Sequence, residues 1–94
     1  MAELTIEKSG PELFGFRLNS PDGSVTKLQF KKDGTSTRTI SAKGLYLLDW
    51  VVRGPQGKEF SYKVDLDGTV VEELKKARIS RAQWEAGYIP VAVK

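Results

Sequence analysis

Hydrophobic and polar residues alternate with a period of two along most of this chain, in runs too short for long helices. Leu4-Thr5-Ile6-Glu7 stops at Ser9-Gly10-Pro11. Leu13 to Asn19 then sets Phe14, Phe16 and Leu18 on one face, against Gly15 and Arg17 on the other. Ser20-Pro21-Asp22-Gly23 carries Pro and Gly where a tight turn takes them. Val25 to Phe30 follows with Leu28 and Phe30 aligned, and Asp33-Gly34, the best short hairpin signal in the chain, joins it to Thr35 to Ile40.

Lys43-Gly44 opens the most apolar stretch. Tyr46, Leu48, Trp50 and Val52 share one face, and Leu45, Leu47 and Val51 the other, the pattern of a central strand covered on both sides. Gly54-Pro55-Gln56-Gly57 reads as a hairpin onto Lys58 to Leu66. There Phe60, Tyr62, Val64 and Leu66 alternate with polar Glu59, Ser61, Lys63 and Asp65. After Asp67-Gly68 the pattern changes. Thr69 and Glu72 fit a capping box, Glu72 to Arg78 are good helix formers, and Ser80-Arg81-Ala82-Gln83 repeats the capping pattern before Gly87. Tyr88 to Lys94 closes as a strand with Ile89, Val91 and Val93 aligned, and Pro90 makes it an edge strand.

The expected fold is a single domain over residues 1–94, mostly β. It is a small antiparallel β-sandwich of six or seven strands with a short C-terminal helical excursion. That excursion would carry Val71, Leu74, Ile79 and Trp84 onto the second face of the Leu45 to Val52 strand. The alternative is a small barrel of the oligonucleotide-binding (OB) type. The stretch Gly44 to Val64, an aromatic strand, a Gly-rich turn and a second aromatic strand, resembles a late hairpin of immunoglobulin-like sandwiches. The resemblance implies architecture alone.

Composition removes much chemistry. The 94 residues contain no Cys and no His, so thiol nucleophiles, imidazole bases, Cys/His zinc sites and disulfides are all excluded. The net charge of +3 is spread over both halves, with 7 basic and 6 acidic residues before position 51 and 8 and 6 after it. No run approaches the about 18 apolar residues of a membrane span. Residues 1–6 lack a signal-peptide pattern; the compartment is left open, cytoplasmic by default, since an exported protein without its leader would read the same.

Val64 to Val70 resembles the first motif of haloacid-dehalogenase-like phosphatases, a strand ending in Asp-x-Asp-Gly-Thr. By that resemblance Asp65 would be the nucleophile and Asp67 the acid, with Mg²⁺ offsetting charge. The chain departs from the family in having only 25 residues after Thr69, hairpin turns in place of crossover helices, and no later Asp-Asp pair. An ordinary Asp-Gly turn is the stronger reading. Calcium held by Asp65, Asp67 and Glu72 or Glu73 does not follow EF-hand spacing, since Lys76 stands where the closing Glu belongs. Gly54 to Lys58 lacks both the leading Gly and the trailing Ser/Thr of a phosphate loop.

Leu13 to Leu18 resembles the Phe-Gly-Phe strand of cold-shock domains, which implies base stacking on Phe14 and Phe16. Phe30, Lys27, Lys31 and Lys32 would complete such a surface. Glu12 replaces the basic residue beside the motif and the His-containing second strand is missing, so core packing is the favoured role for these rings. Trp84 and Tyr88 suit stacking on a sugar ring.

Asp49, between Leu48 and Trp50, needs a cationic partner if it is buried, with Arg78, Arg81 or a helix N-terminus as candidates. These observations lead to a non-enzymatic module that needs no cofactor or metal and contacts a protein partner through a sheet edge or loops. A single-stranded nucleic-acid-binding barrel and a carbohydrate-binding sandwich are the alternatives. The expected partner-binding residues are Lys31, Lys32, Lys75, Lys76, Arg78, Arg81, Trp84 and Tyr88.

Overall fold

The computed structural model describes all residues from Met1 to Lys94, and every regular element in it is a strand. In chain order these are β1 (Ala2–Ser9), β2 (Leu13–Asn19), β3 (Val25–Lys27), β4 (Thr35–Ile40), β5 (Gly44–Arg53), β6 (Glu59–Leu66), β7 (Thr69–Arg78) and β8 (Trp84–Val93). They form two antiparallel four-stranded sheets. The first has the order β4-β1-β6-β7 and the second β3-β2-β5-β8. The period-two pattern becomes two inner faces. Leu4 and Ile6, Phe14, Phe16 and Leu18, and Tyr46, Leu48, Trp50 and Val52 are buried, as are Phe60, Tyr62 and Val64, with Ile89, Val91 and Val93.

The two inner faces share one apolar cluster. Rings on β2 and β5 meet rings on β6: Phe14 lies 5.7 Å from Phe60 at a right angle, Phe16 5.9 Å from Tyr62, and Trp50 5.4 Å from Tyr62. These are the offset and edge-on arrangements that aromatic quadrupoles favour. Gly87 makes room for this core. A Cβ there would press into the Trp50 indole, within 2.8 Å of its ring carbons.

Several expectations fail in instructive ways. No helical excursion exists; residues 69–78 are a strand and 80–83 a turn, in which Gln83 N–H donates to the Ser80 carbonyl at 3.0 Å. Helix propensity differences are only a few tenths of a kcal/mol per residue, and here the turn decides. Asp67 (φ 52°) and Gly68 (φ 82°) both adopt positive φ, as a two-residue type I′ hairpin requires, so the chain returns directly along β6.

The Asp33-Gly34 pair makes no hairpin, because β3 and β4 lie in different sheets. The Asp33 carboxylate instead accepts from both the N–H and the hydroxyl of Thr35, which holds its pKa below the usual carboxylate value. Gly54 to Gly57 likewise carries the chain between sheets, so the late hairpin that suggested an immunoglobulin-like arrangement is not formed. Two separate sheets with free outer strands also replace the OB-like barrel.

Candidate functional site

Without a helix to cover it, the outer face of the second sheet is open. Its register sets Leu13, Arg53 and Trp84 in one row, Gly15, Val51 and Ala86 in the next, then Arg17, Asp49 and Tyr88, and then Asn19, Leu47 and Pro90. Leu13, Leu45, Leu47, Val51, Trp84 and Tyr88 are all exposed on it, Trp84 by 53% and Tyr88 by 68%. The outer face of the first sheet is different. There the same positions hold Thr5, Glu7, Thr37, Thr39, Ser61, Lys63 and Glu73, with Val70 the one large apolar side chain exposed in the row of Thr5 and Asp65. The first face is mostly polar, whereas the second gathers six large exposed apolar side chains.

Asp49 sits in the middle of the open face, half-buried. Its partners are the residue directly across the strand pair and that residue's neighbour: Arg17 Nε donates at 2.9 Å and Asn19 Nδ2 at 2.9 Å. This corrects the expected pairing with Arg78, Arg81 or a helix end. Desolvation pushes the Asp49 carboxyl up, but the hydrogen bonds from Arg17 and Asn19 and the Arg17 charge outweigh it. The net pKa lies below the ordinary carboxylate value.

A depressed folded-state pKa stabilises the fold above the unfolded value of about 3.9 and loses that contribution as pH falls through the folded value. Asp49→Asn is therefore expected to be less stable than wild type at pH 7. The gap should shrink on acidification below about pH 4 and narrow with added salt, because Arg17 is solvent-exposed. Urea titrations across that pH range check this. A gap constant with pH would assign the loss to shape rather than charge.

The other expected site residues are scattered. Lys31 and Lys32 lie in the segment between β3 and β4, while Lys75, Lys76 and Arg78 belong to β7 in the first sheet. Lys75 and Arg78 face Glu73 at 3.9 Å and Glu59 at 3.5 Å. Arg81 occupies the exposed turn before β8. Trp84 and Tyr88 share the open face of the second sheet. Phe14 and Phe16 are buried, so neither offers a face to a base. Asp67 is committed to its turn, its carboxylate accepting from Glu3 N–H at 2.8 Å, and one Asp65 oxygen is buried without a hydrogen-bond partner. No three carboxylates converge on a point that would hold a metal ion.

Sequence reasoning missed the exposure of Leu13, Leu45, Leu47 and Val51. The two-faced apolarity of β5 was the signal, but it was assigned to a covering helix. It also missed Lys8, whose ammonium group donates to the Phe14 carbonyl and lies 4.7 Å from the Phe30 ring centroid. Burial there lowers its pKa.

No protein-family model and no curated protein matches the sequence. Two solved structures are similar in fold. One is a domain of unknown function, DUF4425, from Bacteroides vulgatus ATCC 8482, with a TM-score of 0.57, 16% identity, and coverage of 99% of this chain and 94% of that one. The other is a DUF4425 family protein from Bacteroides ovatus ATCC 8483, with a TM-score of 0.55, 12% identity, and coverage of 96% and 92%. At such identities the likeness is one of fold.

Proposed function

We propose that the protein is a non-enzymatic binding module that recognises a protein partner through the open face of its second sheet and the adjoining β8 edge. We read its architecture as a two-layer β-sandwich, on the strength of the rings that meet between β2, β5 and β6. The observation that carries the function is the segregation of exposed apolar side chains: Trp84, Tyr88, Val51, Leu47 and Leu45 gather on one sheet face. Contiguous apolar patches on soluble proteins mark interaction sites, and Trp and Tyr dominate the energetics of such contacts. Arg53 and Lys27 border the patch, while Asp49 is neutralised by Arg17, so the centre of the face is apolar and without net charge.

A displayed library of extended peptides, followed by ¹⁵N amide NMR with the best binders, tests the reading. Shifts are expected on Trp84 to Tyr88 and on Leu45 to Val51. Binders that move only β7 or the segment between β3 and β4 would overturn it. Trp84 and Tyr88 also support the carbohydrate alternative, standing about 13 Å apart along one strand face with Ala86 between them. Tryptophan fluorescence that responds to a glycan panel, with no selected peptide, would favour that alternative.

A further inference from the structure

We infer, resting on the reading above, that the partner β8 fits is a second copy of this chain, paired antiparallel about Ala86. The direction of the backbone groups on β8 follows from one bond. Gly54 N–H donates to the Gln83 carbonyl at 3.1 Å, next to the Arg53–Trp84 pair. Bonded and non-bonded pairs alternate along an antiparallel ladder. Glu85, Gly87, Ile89 and Val91 therefore turn their N–H and C=O groups toward β5. Trp84, Ala86, Tyr88, Pro90 and Ala92 turn theirs to the free edge. Pro90 fits this assignment, because a residue without an N–H belongs on the unpaired side.

The other edges are blunted. β3 has three residues. β7 carries two register shifts and a positive φ at Lys76, and bulges and lysines are the usual defences of an edge. On β4 the edge-facing Thr35 is already satisfied, its N–H by Asp33 and its carbonyl by Lys31 N–H. β8 is ten residues long and pairs with β5 without a register shift; its edge runs from residue 84 to Pro90, and the one group on it already engaged is the Trp84 carbonyl, which accepts a long 3.3 Å hydrogen bond from Ser80 Oγ and keeps a second lone pair.

That edge is self-complementary. A two-fold axis at Ala86 sets Ala86 against its counterpart and Trp84 against Tyr88 of the second copy. Each facing pair exchanges both backbone hydrogen bonds, and the aromatic side chains become cross-strand neighbours on the open face. No charged side chain on that face of β8 meets the seam, so two chains of net charge +3 come together there without opposed like charges.

The area places the contact among weak associations. Trp84 and Tyr88 are 53% and 68% exposed, and aromatic side chains bury about 150–250 Å² when fully covered. The pairing thus hides several hundred Å² across both copies. That is below the ~1,200 Å² of a stable interface, so the dimer is a weak one.

Sedimentation velocity from about 10 μM to about 1 mM tests it, with amide hydrogen exchange read at both extremes. The weight-average mass is expected to rise from the 10.4 kDa monomer toward twice that value, with Ala86 and Tyr88 amides gaining protection. Ala86→Pro removes an edge-facing N–H that the fold itself does not use, and should leave a folded monomer throughout. Tyr88→Thr keeps strand propensity and should weaken association at least fivefold. A wild-type monomer at every concentration overturns the self-pairing, as does association that Ala86→Pro leaves unchanged. If peptides from the displayed library still shift residues 84–88 of such a monomer, the module reading stands without the dimer; if they do not, both fall.

Discussion

Phe16→Ala is expected to lower the unfolding free energy by about 4 kcal/mol, the cost of emptying a large buried aromatic site. Phe16 is 1% exposed, and its ring contacts Phe14 at 5.3 Å, Phe30 at 5.5 Å and Tyr62 at 5.9 Å, so it ties both sheets to the segment after β3. Domains of this size are held by about 5–15 kcal/mol in total, so the variant should sit near the edge of folding at room temperature. Its melting point should fall by roughly 20 °C. Leu45→Ala on the open face is the control, and should change stability by no more than about 0.5 kcal/mol. Urea titration of both variants makes the comparison. A loss under about 1 kcal/mol for Phe16→Ala would mean the ring is not packed as described, and would reopen base stacking on the Phe14–Phe16 strand.

Gly34→Ala is expected to cost about 3 kcal/mol although it adds a single methyl group. Gly34 has φ 86°, and its carbonyl accepts from Lys8 N–H at 2.9 Å while its N–H donates to Lys31 at 3.0 Å. A Cβ at this position would run into the Lys8 carbonyl oxygen of β1. The substitution therefore combines an unfavourable backbone conformation with a clash against main chain, which cannot swing aside. Gly23→Ala separates the two contributions. Gly23 has φ 91° but open space around it, so that variant should lose only about 1 kcal/mol. Equal losses at the two sites would mean that the segment before β4 can move away from β1.

What the sequence made legible is the part governed by alternation. The inner faces of β1, β2, β5, β6 and β8 could be read residue by residue, because a period of two assigns each side chain to one side. What it hid was partnership. Asp33-Gly34 and Asp67-Gly68 are the same dipeptide, yet only the second closes a hairpin. The difference lies in which sheet receives the next strand, and no local signal carries that information. The helix expected from Thr69 onward failed for the same reason, since seven residues paired to β6 outweigh a run of good helix formers. The candidate face was half legible. Trp84 and Tyr88 were singled out and do share it, whereas Leu45, Leu47 and Val51 were assigned to a buried interface that the missing helix left open.

The position of β1 bears on how the chain reaches this state. β1 is an inner strand of its sheet, with β4 on one side and β6 on the other, and Leu4 lies opposite Arg38 and Leu66. A chain synthesised from its amino end must therefore keep Ala2 to Ser9 waiting until residue 66 has emerged. Until then β1 has at most β4 for a mate, and its other edge is free. Closure over such separations is slow, on the order of milliseconds to seconds for topologies of this kind. Residues 2–9 thus precede β6 in synthesis yet are secured on both edges only after it, and the nascent chain is most vulnerable to misassociation between the completion of β4 and the arrival of β6.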